Sequence, residues 1–237
     1  MEEVDNPKLS IQDIMDLIMK PYPEFEIRRG KTALLIIDMQ KVTSADFLTK
    51  EAVKAGLPEN EAREALRDFD KRIKGAVANA QKLLNACREK GFDVVHVKIE
   101  APTEDPRHTA KINRKIGFIM PAGSEASEIF NEVKPIEGEL VFAKTGGGAF
   151  AGTNIDFVLR NMDIDSLIAC GIATDACVLA TVVHAAELGY DIILVEDACA
   201  TFTREGHEAF VKSIIWTPYS LKVKKTGEVL KIMQKAQ

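Results

Sequence analysis

Five short aliphatic runs alternate with helix-patterned stretches, and this alternation constrains the fold more than any other feature of the chain. The runs are Thr32 to Ile37, Asp93 to Ile99, Leu140 to Ala143, Ser166 to Cys170 and Asp191 to Val195. Thr32-Ala33-Leu34-Leu35-Ile36-Ile37 is apolar almost throughout, as a strand covered on both faces of a parallel sheet must be. From about Glu61 to Lys90, Ala65, Phe69, Ile73, Val77, Ala80, Leu83 and Leu84 recur at helical spacing, and Gly91 supplies the stop. Helical patterns return over Val178 to Leu188, over Glu205 to Ile214 and from Thr226, with a short strand around Ser220 to Val223. Strands alternating with helices predict a doubly wound, mostly parallel α/β sheet with helices on both faces, a Rossmann-like three-layer architecture.

The 237 residues suit one such domain, expected over residues 31–237. Residues 1–30 read as an N-terminal extension in which Ser10 caps a short helix, Ile11 to Met19, ended by Pro21 and Pro23. Met39 to Asn60 is a polar stretch, and Glu100 to Glu125, also polar, reads as a long loop or lid of the kind that lines a site. Basic residues number 31 and acidic ones 36, a net charge of −5, and no basic run is interleaved with aromatics, so a nucleic-acid surface is not expected. The apolar runs are too short to cross a bilayer, and the first residues lack a basic n-region and an apolar h-region. Four cysteines (Cys87, Cys170, Cys177, Cys199) without CxxC spacing do not resemble a disulfide framework. A cytoplasmic protein with reduced thiols is the expectation.

Three reactive side chains fall at equivalent places. Asp38, Lys144 and Cys177 each follow the carboxyl end of a predicted strand, where open α/β sheets bind their ligands. Cys177 also falls where strand turns into helix, and unpaired N–H groups there would make a thiol ionise more easily. Taken singly, Asp38 reads equally as a helix cap, Lys144 as a surface charge and Cys177 as a small buried hydrophobe.

Ile36-Ile37-Asp38-Met39-Gln40, then Lys144 followed by Phe150 and Thr153, then Gly171-Ile172-Ala173-Thr174-Asp175-Ala176-Cys177-Val178 resemble, in this order, the three signature segments of the isochorismatase-like cysteine hydrolases. The resemblance runs from about residue 30 to residue 215 and is most specific in the last segment. It implies an Asp38-Lys144-Cys177 triad for hydrolysis of a C–N bond in a small amide or ureido compound through a thioester. Cys177 would be the nucleophile, Asp38 the proton acceptor and donor, and Lys144 the cation between them. It further implies an oxyanion hole from the N–H groups of Ala173 and Cys177, the first exposed by a cis peptide between Ile172 and Ala173, and a homodimer or homotetramer. Gln40, Phe150, Ile172 and Arg107 are the expected substrate contacts. Basic residues of the long loop (Arg107, Lys111, Arg114, Lys115) could meet a carboxylate or simply face water, and Met39, Phe47, Phe118 and Trp216 could line the pocket or the core.

Nicotinamidases of this superfamily hold a metal through an Asp-x-His pair and a further His. The corresponding stretch here, His96-Val97-Lys98-Ile99-Glu100-Ala101-Pro102, lacks the pair, so neither metal nor cofactor is expected. Isochorismatases cleave a vinyl ether and need no thiol, so Cys177 tilts the reading towards C–N hydrolysis. Nicotinamidase-type and isochorismatase-type hydrolysis stand as alternatives, with a non-catalytic binding module on the same fold as a third. Asp175 reads as a turn residue, and Cys170 and Cys199 as structural.

Overall fold

The computed structural model describes residues 9–18, 22–215 and 221–236. Trp216, and the expected end of the first helix at Met19 to Pro21, lie outside these. Six strands form one parallel sheet: β1 (Thr32–Ile37), β2 (Asp93–Ile99), β3 (Leu140–Lys144), β4 (Ser166–Ile172), β5 (Asp191–Ala200) and β6 (Leu221–Lys224). Their spatial order is β3-β2-β1-β4-β5-β6. The chain starts in the middle, winds out to one edge, returns, and winds to the other. That reversal puts a crevice between the carboxyl ends of β1 and β4.

The helices are α1 (Ile11–Ile18), α2 (Ala45–Lys54), α3 (Glu59–Lys90), α4 (Lys111–Lys115), α5 (Ala149–Gly152), α6 (Ile155–Asn161), α7 (Leu179–Glu187), α8 (Arg204–Ile215) and α9 (Thr226–Lys235). The stripe read from the sequence on α3 is buried at Phe69, Ile73, Val77, Ala80, Leu83 and Leu84, and α3 packs with α9 against β5. Gly91 ends α3 in a left-handed conformation (φ 71°), as a C-terminal glycine should. Ser10 and Asp13 cap α1 reciprocally: Ser10 N–H donates to Asp13 Oδ2 at 2.7 Å, and Asp13 N–H to Ser10 Oγ at 3.2 Å. Every residue of β1 and of β4 is buried.

The structure adds to the sequence reading at two places. First, the polar stretch Met39 to Asn60 contains α2, which Ser44 caps by accepting from Phe47 N–H at 3.1 Å. Only Thr49 of α2 is buried, so the helix lacks the apolar stripe by which a sequence announces itself. Second, β5 runs to Ala200, with a register shift opposite Ala169 and Gly171, so Cys199 lies in the strand rather than beyond it.

Edge strand β3 carries Lys144 and is tied down by Glu139. That carboxylate accepts two bonds from Arg88 of α3 (2.8 and 2.9 Å), one from Ile136 N–H (3.0 Å), and faces His96 Nε2 of β2 at 3.0 Å. Burial alone would raise its pKa, but these donors outweigh burial and hold it at about 2. A depressed folded-state pKa stabilises above the unfolded value, and that contribution disappears as pH falls towards 2. Glu139→Gln is therefore expected to cost at most about 3 kcal/mol at pH 7 and progressively less below pH 4.5. Chemical denaturation across pH checks this. A loss that stays constant down to pH 2 would contradict the assignment.

Candidate active site

Asp38 directly follows β1 and adopts a left-handed conformation (φ 50°). Its N–H donates to Val97 O of β2 at 2.9 Å and its carbonyl accepts from Gln40 N–H at 3.0 Å. The backbone thus turns sharply at the carboxyl end of the sheet, and the carboxylate stays inside, with a residue exposure of 4%. Lys144, the last residue of β3, brings Nζ to 2.7 Å from Asp38 Oδ2, with its side chain fully buried. Nζ also donates to Gly146 O at 2.8 Å. The ion contact is close but poorly aligned, and neither carboxylate oxygen accepts a well-directed hydrogen bond. Burial raises the Asp38 pKa, with Lys144 acting against it.

Cys177 comes from β4. The strand ends at Ile172, the Ile172–Ala173 peptide is cis, and residues Thr174–Val178 form one π-helical turn before α7 begins. Cys177 therefore lies inside a wide turn, not at the first position of an α-helix. The Ala173 carbonyl accepts N–H groups from Ala176 and Val178, one on each side of Cys177. The Cys177 carbonyl accepts from Thr181 Oγ at 2.6 Å, and that hydroxyl accepts from Ala149 N–H at 3.2 Å. This bridge ties the cysteine turn to the loop after Lys144. On its other side the turn is pinned near α8: Thr201 Oγ donates to Asp175 Oδ1 at 2.5 Å, and Thr174 Oγ meets His207 Nδ1 at 2.9 Å. Asp175 thus anchors the turn.

The electrostatics overturn one sequence expectation. Instead of being lowered by a helix terminus, the Cys177 pKa is pushed up to about 12. Burial is the largest cause and the Asp38 charge adds to it, while Lys144 pulls the other way. The loss of water around the sulfur outweighs whatever the local dipole offers a thiolate. Asp38 and Lys144 are the two charged groups that act on the sulfur, so the three side chains share one neighbourhood at the carboxyl end of the sheet.

Gly171 makes this meeting possible. It pairs with Ile37 across the β1–β4 boundary and has φ 152°, a conformation that L side chains rarely adopt. A Cβ there would overlap the Ile37 carbonyl oxygen and lie 2.7 Å from Ile37 Cβ. The two strands that deliver Asp38 and Cys177 approach this closely only because position 171 has no side chain.

The other residues expected at the substrate make the following contacts. Gln40 is completely buried. Its amide nitrogen donates to Ile99 O (3.0 Å) and Ser127 O (2.8 Å), and its carbonyl oxygen accepts from Ile99 N–H (2.7 Å). With these bonds it clamps the end of β2 to the loop before β3 and has little left to offer a ligand. Arg107 is spent on Asp105, two residues back, through bonds of 2.6 to 3.1 Å, and its side chain is 80% exposed. Phe150 is core, packed on Tyr190 with ring centroids 5.5 Å apart and tilted against His184. Ile172 is buried at the cis peptide. Sequence reasoning missed Thr181 and Thr201, whose hydroxyls fix the cysteine turn. Only their position relative to Cys177 in space reveals them. Among the described residues no group of three His, Cys, Asp or Glu is placed to hold a metal ion, and no helix is long and apolar enough to cross a membrane.

Comparison with known proteins agrees with this fold. Residues 32–223 match the family model of the isochorismatase domain. The isochorismatase family protein YwoC of Bacillus subtilis is 31% identical over 185 residues, covering 78% of this chain and 85% of its own length. The ureidoacrylate amidohydrolase RutB of Agrobacterium fabrum is 29% identical over 201 residues, covering 78% and 82%. Among solved structures, a cysteine hydrolase from Pseudomonas syringae superposes with a TM-score of 0.75 at 22% identity, covering 92% of this chain and 99% of its own. N-carbamoylsarcosine amidase from Thermoplasma acidophilum gives a TM-score of 0.58 at 27% identity, covering 83% and 96%.

Proposed function

The chain belongs to the isochorismatase family, and from that premise we propose that it is a cysteine amidohydrolase that opens a C–N bond of a small amide or ureido compound. One observation carries the reading: a buried carboxylate and ammonium 2.7 Å apart act by their charge on a half-buried thiol, the three delivered by β1, β3 and β4. Water exclusion strengthens each electrostatic interaction there. Relatives named for ureidoacrylate and N-carbamoylsarcosine hydrolysis favour a ureido or amide substrate.

In the resting site the Cys177 thiol keeps its proton, because burial and the Asp38 charge oppose a thiolate. Asp38 takes that proton as sulfur attacks the substrate carbonyl, so negative charge moves to the carbonyl oxygen. The N–H groups of Ala173 and Cys177 are the donors we assign to that oxygen. The tetrahedral intermediate collapses, the C–N bond breaks, and Asp38 returns the proton to the leaving nitrogen, giving an amine or ammonia and a thioester. Water then attacks the thioester with Asp38 again as base, and the acid and free thiol are released. Lys144 keeps the carboxylate ionisable inside the protein. Without a cation, burial would favour the protonated acid.

Screening ammonia release from a panel of small amides and ureido acids, with Cys177→Ala as the blank, tests the proposal. Turnover that survives in Cys177→Ala, or none from any amide or ureido compound, would reject it. Cleavage of a vinyl ether by both proteins would instead favour isochorismatase-type chemistry.

The pH profile tests the role of Lys144. Activity falls on the acid side as Asp38 takes up a proton, and its pKa is raised from 3.8 by burial. The acid limb of kcat/KM is thus expected above the ordinary carboxylate range. Lys144→Met removes the main group that lowers this pKa, so the limb should move to still higher pH. An unmoved limb would show that another group titrates there.

A further inference from the structure

The turn that carries Cys177 is moored to the start of α8. Thr174, the first residue of the turn, is completely buried. Its Oγ lies 2.9 Å from His207 Nδ1, and this is the only hydrogen bond of the hydroxyl among the described residues. His207 belongs to the first turn of α8, which Thr203 caps by accepting from Gly206 N–H at 3.0 Å. A Cβ on Gly206 would stand 2.5 Å from Asp175 Oδ2. Helix and cysteine turn are thus packed hard against each other beside the Thr174–His207 bond.

The direction of that bond follows from what each partner can give. A buried hydroxyl proton without an acceptor is costly. The acceptor that Thr174 has is His207 Nδ1, so the network assigns a neutral imidazole with its own proton on Nε2. Protonation of the ring puts a hydrogen on Nδ1 as well. Two donors then face each other, or the hydroxyl turns, accepts from Nδ1 and leaves its own proton unpaired in a dry place. Either way the tether weakens.

The charged groups facing the imidazole are Glu196 of β5, Glu208 of α8 itself, Asp175 of the turn and Arg72 of α3. Burial keeps the ring neutral to lower pH than an ordinary histidine. The three carboxylates work against burial, and Arg72 works with it. Asp175 is already engaged with Thr201, and Arg72 donates to Phe202 O at 2.5 Å. The tether is therefore intact at neutral pH, and the proton arrives only in acid, below the ordinary value of 6.5.

We propose that His207 is a positioning residue for Cys177 and a proton switch: the neutral imidazole accepts from Thr174 and holds the cysteine turn in its reactive shape, and the imidazolium releases it. The turn is where such a release would be felt. It carries the sulfur itself, the Cys177 N–H assigned to the oxyanion, and the Ala176 and Val178 N–H groups gathered by the Ala173 carbonyl. Neither His207 nor Thr174 is a contact of the substrate, so the effect falls on kcat rather than KM. The inference rests on the reading of Cys177 as nucleophile, but the tether itself can be measured without a substrate.

The full-length parent protein, His207→Asn, His207→Leu and Thr174→Val are compared from pH 5 to 8. Asparagine places an amide oxygen where Nδ1 stands and does not titrate. Leucine and valine each remove one end of the bond, so a folding defect in one variant leaves the other to decide. With an amide substrate from the screen above, His207→Leu and Thr174→Val should lose about 10-fold in kcat at pH 7.5, with KM within about two-fold. His207→Asn should recover most of that loss, and at pH 5 it should exceed the parent several-fold, because only the parent has lost its tether. The acid limb of Asp38 is common to both and cancels in the ratio. Hydrogen exchange at the Ala176 and Val178 amides, compared between proteins at equal pH, reads the turn alone. Protection in the parent should fall several-fold relative to His207→Asn between pH 7.5 and pH 5. If exchange behaves so while no substrate turns over, the hydrolase reading fails and the tether stands. The proposal is overturned by equal exchange and parallel pH profiles in the parent and His207→Asn. It is also overturned by an unchanged kcat in both His207→Leu and Thr174→Val, or by a loss in His207→Asn as large as that in His207→Leu.

Discussion

Asp38→Asn is expected to lower kcat by about 10³-fold while leaving the fold intact. With its pKa pushed up to about 12, Cys177 at pH 7 is ionised in only about one molecule in 10⁵. A base that removes the proton during attack is therefore what makes the thiol useful. Asparagine keeps the shape of the side chain but can neither accept that proton nor return it to the leaving nitrogen. Two effects oppose each other in the variant. Loss of the base slows attack, and loss of the negative charge lets Lys144 lower the thiol pKa. The first is larger, since it acts on both halves of the reaction. The second leaves a signature: residual activity should rise with pH as the thiol itself ionises, with no acid limb from a carboxyl. Steady-state kinetics from pH 5 to 10 measure both. Unchanged kcat, or a profile parallel to that of the parent protein, would remove Asp38 from the chemistry.

Gly171→Ala should have the largest effect on stability of any single methyl added to this protein, about 3–5 kcal/mol. The added Cβ would have to share space with the Ile37 carbonyl and approach Ile37 Cβ to 2.7 Å, both on a neighbouring strand of the sheet centre. It would also require an alanine at φ 152°. Flexible side chains cannot absorb such a clash, because one partner is backbone, so β1 and β4 must separate. Asp38 and Cys177 follow those two strands by one and five residues respectively from the strand ends, and the same movement would pull them apart. The expected result is a lower midpoint in chemical denaturation together with loss of activity in whatever folds. Gly75→Ala, inside α3 with open space around it, is the control and should be neutral or slightly stabilising. Equal behaviour of the two variants would refute the steric account.

Some of the molecule could be read from residue order alone, and the reasons are physical. Strands β1 and β4 are buried along their whole length, so nearly every residue had to be apolar, and such runs stand out. Helix α3 has one face on the sheet and one in water, and its sequence repeats accordingly. Helix α2 buries only Thr49, and no pattern marked it. Gln40 shows another limit. Two residues after Asp38, at the crowded end of a strand, it had the chemistry of a ligand contact. Its partners, Ile99 and Ser127, are distant in sequence and offer backbone groups that any residue has. Arg107 likewise looked free until its neighbour Asp105 was seen to hold it.

Residue order by itself determined that the strands alternate with helices, and that a carboxylate, an ammonium and a thiol each follow a strand. Period and polarity are local properties, and burial on one or both faces imprints them directly. Only the tertiary structure decided the order of the strands, the contact of Lys144 with Asp38, and the upward shift of the Cys177 pKa. Each of these depends on which distant groups displace water from one another, and desolvation is a property of the packed whole that no stretch of chain carries alone.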